Sequence, residues 1–136
     1  MPAANASEMP TVAVSWGELI DKITILEIKA RRLKSQQALD NVRKELAALT
    51  QVVDDSAARS LALDALKQKL AAVNEALWDI EDGVRAKEAA KTFDAQFVEL
   101  ARAVYHHNDE RSALKREINA LLKSGLVEEK LYTSYR

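Results

Sequence analysis

The residues of this chain that could do chemistry are charged and amide groups standing where an apolar helix seam should continue. In the last long helical stretch the seam begins Phe97, Leu100, Val104 and resumes at Leu114 and Ile118, and between them the same face presents His107, Asn108, Arg111 and Lys115. A charge in a seam needs a partner, because an unpaired buried ion costs several kcal/mol. Partners are available elsewhere. Asn74, Trp78, Glu81 and Arg85 flank a second seam, with Asp79 and Asp82 farther round, while Glu27 flanks a third and Glu18, Lys22 and Lys29 line its other side. Two arrangements follow. One is a polar pocket between helices, with Arg111 and Lys115 as an anion site and Glu27, Glu81 or Asp82 as its counterpart. The other is a structural ion-pair network that fixes helix register, or a kink at His107-Asn108-Asp109 where Asn ends one helix and Asp caps the next.

The carboxylates also permit a metal site. Glu18 with Asp21, and Asp79 with Asp82, are spaced i,i+3, so each pair lies on one helix face and could share a hard cation such as Mg²⁺. A magnesium-assisted attack on a nucleotide or sugar pyrophosphate would then be reasonable, with Arg111 and Lys115 holding phosphates. That arrangement loosely resembles the all-α nucleotide pyrophosphohydrolases. Acidic pairs at this spacing are common on exposed helices, however, so the preferred expectation is no cofactor. Other sites are absent from the sequence. With no cysteine there is no thiolate chemistry, His106 and His107 point about 100° apart on a helix, and Gly17, Gly83 and Gly125 are too isolated for a phosphate loop. Ser15, Ser112 and Ser124 all have cap or helix-surface explanations.

The elements that must position these groups are helices. The chain has 136 residues, one domain's worth, with 48% apolar and 5% aromatic content and only three Gly and two Pro. So few breakers favour long helices over a sheet with many turns. A net charge of −1 gives no basic field to attract nucleic acid or anionic lipid. No apolar run is long enough to span a bilayer, and a soluble cytoplasmic protein is expected.

The first helix should open at Ser15 and Glu18, spaced as a capping box, and run to about Lys34. Leu19, Ile23, Leu26, Ala30 and Leu33 form its seam, yet Ile20 lies to one side and Ile25 and Ile28 on the far face. Apolar residues on several faces mean that neighbours, or a second subunit, enclose it. Ser35 caps a second helix with Leu39, Val42, Leu46, Leu49 and Val53 in a coiled-coil-like seam, and Asp54-Asp55-Ser56 offers a stop and a new cap. The third helix carries Leu63, Leu66, Leu70, Val73, Leu77, Ile80 and Val84 to about Lys91. Asp94 caps the fourth, and Ser124-Gly125 stops it. Leu126 to Arg136 is a tail whose Leu126, Val127, Leu131, Tyr132 and Tyr135 could fold back. The expectation is an all-α, antiparallel bundle of about four helices over residues 11–136, behind a disordered tail at 1–10, completed as a homodimer or by a protein partner.

Three stretches together carry a resemblance: Val14 to Lys29, Val73 to Asp82 with Leu77-Trp78-Asp79-Ile80-Glu81-Asp82, and Tyr105 to Asn119 with Asn108-Asp109-Glu110-Arg111 and Lys115-Arg116-Glu117-Ile118-Asn119. They resemble the uncharacterised bacterial domain-of-unknown-function family 6165, over about residues 11–132. The resemblance implies short helical proteins in the setting of glycosyltransferases and surface-polysaccharide genes, and no established activity. A non-catalytic helical interaction or assembly module is the function expected, with a Mg-dependent nucleotide or nucleotide-sugar enzyme as the alternative.

Overall fold

The computed structural model describes residues 9–56, 58–126, 129 and 131–135. The expected tail at 1–10 lies mostly outside the described residues, as does Val127. Four helices carry the fold: α1 (Trp16–Arg32), α2 (Gln36–Asp54), α3 (Leu61–Ala89) and α4 (Ala95–Leu121), and no strand occurs among the described residues.

Each helix starts by the same device. Ser15, Ser35, Ser60 and Asp94 each accept a hydrogen bond from the backbone N–H three residues on, satisfying a donor the helix itself leaves free. The third cap is therefore Ser60 and not the Asp54-Asp55-Ser56 run, where Asp55 caps the end of α2 instead. The expected box at α1 is half made. Glu18 N–H reaches Ser15 Oγ at 3.1 Å, but the Glu18 carboxylate turns away to Lys115. Helices α3 and α4 both end with a lysine in the left-handed region, Lys91 (φ 55°) and Lys123 (φ 52°). In each case the next residue's N–H closes back on the last turn, Thr92 on Lys87 and Ser124 on Asn119, at 2.9 and 2.8 Å. Gly125 is thus not the stop residue that the sequence suggested.

Helix α1 is the hub, packing against each of the other three, while α2 approaches only α1 at the backbone level among the described residues. The pairs α1–α2, α1–α4 and α3–α4 run antiparallel, as Lys22 to Glu45, Gly17 to Asn119 and Asp21 to Arg111, and Lys87 to Asp94 show. The core joins Leu19, Ile20 and Ile23 to Val53, Leu63, Leu70 and Ile118, with Trp16, Leu46 and Leu114 packed against it. Ile20 and Ile28 are 2% and 1% exposed and Ile25 is half-buried, so the chain's own helices enclose α1 and no second subunit is needed to cover it. Each fully covered isoleucine contributes roughly 1.5–3 kcal/mol relative to an exposed one. The kink drawn at His107-Asn108-Asp109 is absent: α4 is continuous, and His107 Nδ1 lies 2.9 Å from the Ala103 carbonyl one turn back.

The cover is uneven. From Trp78 round the α3–α4 tip to Arg111 no side chain is fully buried. The far halves of α3 and α4 therefore form a two-helix arm that extends past α1.

Candidate functional site

The polar residues read from the sequence do gather where α1 enters the α3–α4 groove, but with partners different from those expected. Asp21, 1% exposed, is the centre. Arg111 grips it with two hydrogen bonds, Nε at 2.9 Å and Nη2 at 2.5 Å, in the forked geometry that makes guanidinium–carboxylate pairs strong. Asn74 Nδ2 donates to Asp21 Oδ1 at 2.9 Å and to Thr24 Oγ1 at 2.8 Å, and the Thr24 hydroxyl donates to the Asp21 carbonyl. The network ties α1, α3 and α4 at one level. Its carboxylate is Asp21 and not Glu27, Glu81 or Asp82, because Asp21 and Arg111 occupy facing turns of antiparallel helices whereas Glu27 is turned to α3.

One turn toward the start of α1, Lys115, itself buried, reaches Glu18 at 2.8 Å. Gly17 N–H donates to Asn119 Oδ1 at 2.7 Å and Trp16 N–H to Ser124 Oγ at 3.2 Å. The approach is so close that a Cβ on Gly17 would stand 2.5 Å from the Lys115 carbonyl oxygen, so only glycine fits. Asn119 Nδ2 is left buried without a partner among the described residues.

The other candidates are dispersed. Lys22 pairs with Glu45 of α2 at 3.1 Å and Glu27 with Lys67 at 2.8 Å, both outside the cleft described next. Glu81 and Arg85 form an i,i+4 pair on the surface of α3. The two acidic pairs do not share a site: Lys115 holds Glu18, Arg111 holds Asp21 and Arg32 holds Asp79 at 2.7 Å. A cation there would have to displace those side chains, and among the described residues no three His, Cys, Asp or Glu side chains converge.

A cleft of about 530 Å³ does lie beside the network. Ile25, Ile28, Leu77 and Trp78 give it an apolar lining, Glu81, Asp82 and Arg85 come from the next turns of α3, and Asn108 and Arg111 close the α4 side. Arg32 stacks over the Trp78 ring at 5.7 Å while bridging Glu75 and Asp79. Those two carboxylates raise the Arg32 pKa, chiefly through the Asp79 hydrogen bond, and Arg32 in turn lowers that of Glu75. Trp78 is thus a half-buried cleft wall, whereas Trp16 packs on the core.

Sequence reading missed Thr24, Asn119, Glu45 and Lys67. Thr24 sat inside a β-branched run that looked only hydrophobic. Asn119 carried a usable signal, since it follows Arg111 and Lys115 at four-residue steps on one helix face.

Residues 10–135 match the family described as a family of unknown function, DUF6165. The chain belongs to that family. No curated protein and no solved structure matches this DUF6165 chain. None of its described helices is long and apolar enough to cross a membrane.

Proposed function

We propose that this DUF6165 chain is a non-catalytic helical assembly module whose α3–α4 arm pairs with the arm of a second copy. One observation carries the reading: the stripes that hold α1 continue past it. On α4, Asn119, Lys115 and Arg111 face α1, and the same three-four spacing runs on through Asn108, Val104, Ala101 and Phe97. On α3 the stripe of Leu70, Asn74 and Leu77 runs on through Glu81, Val84 and Glu88. Among the described residues no third helix enters this groove beyond the cleft, and Phe93 and Val98 stand about half exposed near the tip.

An isolated helix pair is marginal in water, and a second pair laid into the groove would complete a four-helix arrangement. The arm's charges are of both signs, Glu81, Glu88 and Glu99 with Arg85 and Arg102, so an antiparallel copy can set acid against base across a two-fold axis. Glu18, Asp21, Arg111 and Lys115, meanwhile, are engaged in ion pairs between α1 and α4. The setting implied by the sequence resemblance makes glycan-building enzymes the machinery we infer this module to serve.

Sedimentation equilibrium tests the pairing. The wild-type chain should have twice its formula mass at micromolar concentration, and Val104→Glu should be monomeric with unchanged helical circular dichroism. A wild-type monomer, or a Val104→Glu dimer, rejects the proposal.

A further inference from the structure

A second cleft, of about 790 Å³, lies between α4 and the returning tail. All three tyrosines of the chain line it, Tyr105 from α4 and Tyr132 and Tyr135 from the tail. The tail is held there by Tyr135, whose hydroxyl donates to Asp109 Oδ2 at 2.7 Å and whose ring meets Tyr105 and His106 edge-on at centroid distances of 4.7 and 4.9 Å. Beneath the rings, Tyr105, Asn108, Asp109, Ser112 and Arg116 follow one another at three- and four-residue steps, a single face of α4.

Ser112 is the informative member. It is only 7% exposed, lines the cleft, and its hydroxyl has no hydrogen-bond partner among the described residues. The Asn108 amide, half-buried at the same cleft, is likewise without a partner among them. Both face the cleft, so a ligand there would meet them in place of water.

We propose that this cleft binds a neutral sugar ring. Such a ring has a C–H face, which packs on an aromatic side chain, and a rim of adjacent hydroxyls, each both donor and acceptor. The cleft supplies the complement: exposed tyrosine rings for the face, and for the rim an amide, a carboxylate, a hydroxyl and a guanidinium within two turns of helix. Among the described lining residues the one acidic and one basic group, Asp109 and Arg116, offset each other. That balance disfavours phosphate, which would need clustered cations. An apolar ligand would leave Ser112 and Asn108 unsatisfied. The inference does not rest on the arm pairing: the two share only Asn108, and the cleft otherwise uses the adjoining face of α4 and the tail.

The experiment is saturation-transfer and tyrosine-ring NMR on the full chain with methyl glycosides of glucose, galactose and N-acetylglucosamine, and with inorganic phosphate as the rival. At least one glycoside should shift the tyrosine ring signals with a Kd of about millimolar, the range expected of a few polar contacts in an open cleft. Ser112→Ala, a near-isosteric change, and Arg116→Gln, on the surface, should each weaken that binding by about tenfold, roughly the loss of one charged or cleft-facing hydrogen bond. Thermal unfolding of both variants should stay close to wild type. Silence from all three glycosides, binding indifferent to both substitutions, or phosphate binding at the same tyrosines as tightly as the best glycoside would each overturn the proposal.

Discussion

Helices α3 and α4 run through two regions that the same sequence pattern treats very differently. In the base, where α1 fills their groove, Leu70, Asn74, Lys115 and Ile118 are buried; in the arm, Val84, Phe97, Ala101 and Val104 continue the same spacing and none is buried. Heptad spacing therefore marks which face of a helix can be covered, while burial needs a neighbour to arrive. The base has its third helix, fixed by Asp21 and Arg111. Among the described residues the arm has only its own two helices, and it should open at lower free energy in hydrogen exchange.

The largest test of that contrast is Arg111→Ala. It leaves the Asp21 carboxylate buried without its cation, which should destabilise the base by roughly 3–5 kcal/mol in urea denaturation. A loss under about 1 kcal/mol would mean that the base is no better fixed than the arm. Next come the glycines. Gly17→Ala drives a methyl into the backbone of α4, which cannot yield, and should cost about 1–3 kcal/mol. Gly83→Ala in the arm meets only the end of the Leu100 side chain, at 3.1 Å, so it should cost less. Equal losses would erase the distinction.

At the arm tip, Lys91→Gly relieves a left-handed lysine and should raise stability by about 1 kcal/mol, seen as slower exchange confined to the tip. The smallest effect is in acid. Glu75 in the base, paired chiefly with Arg32, and Asp94 at the tip, paired chiefly with Lys87 and then with the Phe97 N–H, both have lowered pKa values. A depressed carboxylate contributes stability that is present above its unfolded value, roughly 4, and fades as pH falls through the folded one. Carboxyl NMR titration should place both midpoints below the ordinary range. Glu75→Gln should flatten the acid loss of the base, and Asp94→Asn that of the tip.

The architecture was largely legible. Three of the four polar caps, the wheel of α1 with isoleucines on several faces, and the seams of α2 and α3 are all local patterns, and they gave the helices to within a few residues. The site was legible in membership more than in pairing. Trp78, Glu81, Asp82, Arg85, Asn108 and Arg111 do meet at one cleft, but the partner of Arg111 was misassigned and Glu18, Lys22, Glu27 and Lys115 belong elsewhere. Pairing depends on how two antiparallel helices are staggered, and nothing within either sequence fixes that stagger. The close approach of the backbones at Gly17 sets it in the fold, and in the sequence that approach shows only as an isolated glycine.

Trp16 and Gly17 hydrogen-bond to partners 108 and 102 residues later in the chain. During synthesis α1 leaves the ribosome long before the last turns of α4 exist, so the face of α1 that meets α4 stays uncovered through most of translation. Closure of α1 on α4 is then a late event, slow in the way long-range closures are.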